Sequence, residues 1–83
     1  MSGIYKTVYS KVIFQAIRDL VGSAPLEKEE AVKYLQSPAF LAHCGIAGFP
    51  DGLQDALDEM LLLSKTEQKV VGKMIMEELT ACS

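Results

Sequence analysis

Residues 37–53 read Ser-Pro-Ala-Phe-Leu-Ala-His-Cys-Gly-Ile-Ala-Gly-Phe-Pro-Asp-Gly-Leu and hold the helix boundary signals that decide the fold. Ser37 is a favourable N-cap residue, and Pro38 suits the first position of a helix because it has no N–H to satisfy. Gly48 is predicted to end this helix, since glycine adopts the left-handed conformation of helix C-termini. Pro50 then predicts the start of another helix.

The two helices around this turn are predicted over residues 38–47 and 50–63. Together they form a hairpin at 38–63 that is similar in outline to a helix-turn-helix. Apolar residues at helical spacing extend the pattern in both directions. The sequence therefore predicts a compact all-α domain of five helices, over residues 4–21, 25–36, 38–47, 50–63 and from Ser64 to near Cys82.

Most of the predicted helices have one apolar face each, and their boundaries follow familiar signals. Residues 23–25 are predicted as the link between the first two helices. Ser64 and Glu67 are predicted to form a capping box at the start of the last helix. The residues predicted to face the core are Ala31, Leu35, Phe40, Leu41, Cys44, Leu53, Ala56, Leu57, Met60, Leu61, Val70, Val71, Met74, Ile75 and Leu79.

The first helix is apolar around well over half of its circumference, which allows two interpretations. It is either the central helix of the domain or a helix with an exposed apolar patch that binds a partner or a second copy. In the second case we expect Tyr5, Tyr9 and Phe14 to be the anchors, because aromatic residues dominate interface energetics.

Size and charge exclude several classes of protein. Eighty-three residues with 49% hydrophobic content indicate one folded domain, residues 1–83. The net charge of −3 disfavours non-specific binding to nucleic acid, which requires clustered Lys and Arg. We find no signal-peptide pattern and no membrane-spanning apolar run, so we expect a cytoplasmic protein with no membrane partner.

The adjacent His43 and Cys44 resemble catalytic or zinc-ligating residues but lack the necessary company. One histidine and two cysteines do not supply a four-ligand zinc site. Neighbouring residues on a helix also point in different directions, which disfavours a Cys–His catalytic pair. We therefore predict that Cys44 lies in the core and His43 at the surface, and that the chain has no enzymatic activity, metal or cofactor.

The helix predicted after Pro50 carries an acidic face made of Asp51, Asp55, Asp58 and Glu59. A DNA-reading helix needs Arg, Lys, Asn or Gln near its N-terminus, so these acids argue against DNA binding. The same acids suit a protein partner with a basic surface. A DNA-binding regulator that acts as a dimer and pools Lys6, Lys11 and Arg18 is the alternative.

Part of the chain resembles a group of small uncharacterised proteins of bacteriophages and prophages. The similar residues are Tyr9-x-x-Val12-x-x-Gln15-Ala16-x-x-Asp19, then Ala31-x-x-Tyr34-Leu35-x-Ser37-x-x-Phe40-x-x-x-Cys44-x-x-Ala47-Gly48-x-Pro50. The resemblance covers about the first two-thirds of the chain and implies a phage-encoded protein in a bacterial cytoplasm. Proteins of this kind often act by binding a host or phage protein, and inhibition of a host defence or nucleic-acid-handling complex is one such action. The resemblance assigns no functional residue.

Overall fold

The computed structural model describes residues 2–22 and 24–82; for residues 2 and 82 it describes the backbone alone. Ser23, part of the predicted link, lies outside the described residues. The described part is all-α, as predicted, and none of its helices is long and apolar enough to cross a membrane. Its five helices are α1 (Ser2–Val21), α2 (Pro25–Leu35), α3 (Pro38–Ala47), α4 (Leu53–Met60) and α5 (Lys65–Cys82).

The two halves of α1 differ in burial. Helices α2, α3 and α5 pack against α1, and Ile13, Ile17 and Leu20 are fully buried between them. Nearer the N-terminus, Ile4 and Val8 remain 71% and 50% exposed. The C-terminal half of α1 is therefore the centre of the domain, whereas the N-terminal half keeps an apolar surface.

Gly48 ends α3, as predicted, in a Schellman motif. Its φ angle is +77°, and the N–H of Phe49 donates to the carbonyl of Cys44 at 2.9 Å. Phe49 then turns back into the core and packs on Phe14. At the other end, the Ser37 hydroxyl donates to the carbonyl of Tyr34 at 2.7 Å, so it joins α3 to α2 and makes no N-cap hydrogen bond.

The fourth helix is shorter than the predicted range of 50–63. Residues 50–52 form a turn before α4, and the N–H groups of Leu62 and Leu63 bond only three residues back. Helix α4 packs chiefly against α5, whereas α3 packs chiefly against α1. The pair is thus a sequential helix–turn–helix whose members are held by different neighbours.

Helix α5 begins at the predicted capping box, in which Ser64 Oγ accepts from the Glu67 N–H at 3.3 Å. The predicted inward face of α5 is wrong at Val70 and Met74, which are 56% and 58% exposed. The buried positions are Gln68, Gly72 and Leu79, with Val71, Ile75 and Met76 partly covered.

Close packing at Gly72 and polar capping at Gln68 explain why α5 is rotated about its axis relative to the prediction, with Val70 and Met74 turned outward. A Cβ atom on Gly72 would lie 2.9 Å from Val21 Cγ1, so any side chain at this position would force Val21 to shift or α5 to move away from α1. The Gln68 amide nitrogen donates to the carbonyls of Leu61 and Leu63, at 3.3 and 3.0 Å. The buried face of α5 is therefore set by one residue without a side chain and one polar residue.

The prediction that Leu41 on α3 faces the core is also wrong, since Leu41 is 50% exposed.

Candidate functional site

His43 is half-buried and packs against aromatic rings, whereas the sequence predicts it at the surface. Its ring centroid lies 4.5 Å from that of Tyr9 on α1 and 5.6 Å from that of Tyr34 on α2. The Tyr34 hydroxyl is hydrogen-bonded to His43 Nδ1 at 2.6 Å. These contacts join α1, α2 and α3, so His43 has a clear structural role.

Cys44 lies in the core, as predicted, and its chemistry is that of a buried thiol. Burial, with a smaller effect from the charge of Asp51, raises the pKa of the Cys44 thiol to about 11. A nucleophilic cysteine requires the opposite shift, because the thiolate is the reactive form. Among the described residues no three His, Cys, Asp or Glu side chains are grouped to hold a metal ion.

We expect the protein to lose stability in alkali through Cys44. Its pKa rises on folding from an ordinary 9.0 to about 11, so the folded state holds the thiol proton more tightly than the unfolded state. The stability from this group is complete below pH 9 and is lost as the pH rises towards 11. Burial also raises the pKa of Tyr34 to about 12, which extends the loss upward.

The measurement is the melting temperature, followed by circular dichroism from pH 7 to 11. Wild type should be steady to about pH 9 and then decline. The Cys44→Ala variant has no thiol at this position, so it should be less stable at neutral pH and decline less between pH 9 and 10. An equal decline in both proteins would contradict the assignment.

The three aromatic residues predicted as anchors on α1 differ in exposure and in contacts. Tyr5 is 65% exposed, but Tyr9 packs on His43 and Phe14 packs on Phe49. The exposed apolar side chains of α1 follow helical spacing instead. We call them the apolar strip: Ile4, Tyr5, Val8 and Val12.

The predicted acidic face exists as one exposed surface. Asp51, Asp55, Asp58 and Glu59 are all exposed along α4 and the turn before it. In the described part of the chain, no basic nitrogen lies within ion-pair distance of these carboxylates. Their charge is therefore available to a partner.

An apolar groove that the sequence did not reveal lies beside this acidic face, between α4 and α5. Its volume is about 380 Å³, and most of its surface is apolar. It exists because the rotation of α5 leaves Met74 as an outer wall rather than a core residue. We call it the α4–α5 groove, and its main apolar residues are Leu53, Ala56, Val71, Met74, Ile75 and Leu79.

The charged residues at this groove are all acidic. Glu78 lines it from α5, and Glu59 lies one helical turn from Ala56 on α4, with Asp55 one turn before Glu59. No lysine or arginine of the described residues lines the groove. Glu78 is thus the one charged residue among the described residues that line the groove, and the acids of α4 adjoin it, so the groove fits an apolar segment that also carries positive charge.

A second groove, between α1 and α2, is larger but less suited to one partner. Its volume is about 470 Å³, and Lys11, Asp19, Glu27 and Glu30 give it charges of both signs. A mixed lining of this kind does not select a partner of one charge, so the α4–α5 groove is the stronger candidate.

Two short signals in the sequence point towards the α4–α5 groove. Gly72 interrupts an apolar helix where another helix approaches, and Gln68 follows the capping box within one turn. Together they indicate which way α5 faces, although neither locates α4.

No protein-family model matches the chain, and no curated protein or solved structure is significantly similar to it.

Proposed function

We propose that this chain is a non-enzymatic protein-binding protein that takes a basic, amphipathic segment of its partner into the α4–α5 groove. The observation that carries the proposal is the apolar groove, which Glu78 lines, together with the exposed acids Asp55 and Glu59 on the adjoining helix α4. Apolar contacts supply affinity in such a groove, and the acidic charges supply attraction and selectivity. The phage setting and the inhibition of a host complex remain predictions.

The chemistry of the groove narrows the kind of partner. Nucleic acid is disfavoured because its phosphates would meet carboxylates, and anionic lipid is disfavoured for the same reason. A peptide strand has no sheet edge to join among the described residues. A helix fits best, since α4 has eight residues and is about 12 Å long, which matches two to three turns.

The proposal can be tested by capture from a bacterial lysate with three purified forms of the protein. The Met74→Lys variant places a positive charge in the α4–α5 groove and should lose the partner that wild type retains. Leu41→Lys is the matched control, because it also replaces a half-exposed apolar residue by lysine but lies on α3, outside both grooves. It should retain the partner.

Cross-linking with mass spectrometry should place the bound segment of the partner at α4 and α5, and that segment should be basic and amphipathic. Capture that Met74→Lys leaves unchanged would show that the groove is not the site. Tight binding of duplex DNA that weakens steeply with salt would favour the alternative of a DNA-binding regulator instead.

A further inference from the structure

The apolar strip on α1 has the chemistry that the α4–α5 groove accepts. Ile4, Val8 and Val12 follow one another at one-turn spacing and are exposed. Residues 2–18 of α1 contain Lys6, Lys11 and Arg18 and no acidic residue. Lys11 borders the strip directly, since it lies one turn beyond Val8 on the helix surface.

The dimensions of the two surfaces also agree. From Ile4 to Val12 the helix rises by about 12 Å, which is about the length of α4. Within one copy the strip lies on α1, and none of its residues lines the α4–α5 groove. The segment that fits the groove must therefore come from another molecule.

From this match we infer that a second copy of the chain inserts its apolar strip into the α4–α5 groove. The contact joins two different surfaces, so each pair leaves one strip and one groove open to further copies. The strip has four side chains, whereas stable interfaces use about 20–30 residues a side. The association is accordingly weak, grows with protein concentration and is screened by salt.

Two variants test the inference when they are mixed. Met74→Lys closes the groove to the basic strip, and Val8→Lys places in the middle of the strip a charge that the apolar groove cannot bury. The two introduced lysines repel each other, so the altered strip and the altered groove do not pair. Each variant alone should sediment as a monomer at concentrations at which wild type forms dimers and larger species. An equimolar mixture should form a discrete dimer, because the intact strip of one variant fits the intact groove of the other.

Several outcomes of the sedimentation experiment would overturn the inference. If Met74→Lys alone still dimerises, the strips pair with each other. If the mixture stays monomeric where wild type associates, or wild type is monomeric at millimolar concentration and low salt, strip and groove do not bind. Leu41→Lys should associate as wild type does. Circular dichroism confirms folding, and Ile4→Lys with Glu59→Lys supplies a second pair at exposed positions.

The inference uses the same groove as the proposed function but does not require a foreign partner. If copies associate and no lysate protein is captured, the groove serves self-association and the proposed function is wrong. If a partner is captured at the groove and the variants do not complement each other, this inference is wrong and the proposed function stands. If both hold, the partner and the second copy compete, and added partner should shift wild type towards smaller species.

Discussion

Replacing Phe40 by alanine should remove about 3–5 kcal/mol from the free energy of unfolding. Phe40 is 1% exposed and belongs to the core. Its ring packs edge-to-face against the ring of Tyr34, with the ring centroids 5.4 Å apart. Alanine deletes the whole ring and leaves a cavity in the core. A domain of this size has a total stability of about 4–12 kcal/mol, so the variant should be largely unfolded or close to it.

The neighbouring residue provides the control for Phe40. Leu41 is 50% exposed, so Leu41→Ala removes a large apolar side chain from the same helix without opening a core cavity. We expect it to change the stability by about 0.5 kcal/mol or less. Urea unfolding curves of the three proteins measure both effects. Similar losses for the two variants would mean that Phe40 is not in the core.

The Gln68→Leu substitution should cost about 1–3 kcal/mol even though leucine is apolar and similar in size. The Gln68 side chain is 6% exposed and donates to the carbonyls of Leu61 and Leu63, where the chain leaves α4. Leucine would leave both carbonyls without this donor under a covering side chain. Both hydrogen bonds are part-buried, and losing each of them costs about 0.5–1.5 kcal/mol.

A second variant separates this capping role from the link to α2. Lys28 Nζ donates to Gln68 Oε1 at 3.2 Å, and Lys28→Met removes that bond while both carbonyls keep their donor. We expect it to cost about 1 kcal/mol or less. Hydrogen exchange should show faster opening at residues 61–64 in Gln68→Leu alone. If Lys28→Met is the more damaging change, the bond to α2 is the important one.

The sequence was most informative where a short signal fixes a boundary. Pro38, Gly48 and the Ser64–Glu67 capping box act through local backbone geometry, so the ends of α3 and the start of α5 could be predicted closely. The end of α4 was predicted too late, because after Leu61 the backbone bonds three residues back and the carbonyls of Leu61 and Leu63 are met by Gln68 rather than by a further helical turn.

Of the candidate site, the sequence predicted the acidic face but not the groove beside it. The acidic face of α4 follows from spacing, since residues on one helix keep their relative positions in any fold. The α4–α5 groove does not, because it depends on how two helices face each other. The surroundings of the α1 aromatic residues could not be predicted for the same reason: Tyr9 and Phe14 meet His43 and Phe49 from α3 and the turn after it.

The sequence by itself determined an all-α chain, most of its helix boundaries and an acidic surface on α4. The tertiary structure alone decided which face of α5 is buried. Val70 and Met74 have the same spacing as core residues, but α5 approaches α1 through Gly72, where a side chain would collide with Val21. Periodicity reports that a helix has an apolar face, whereas the closest approach between helices decides how that face is turned.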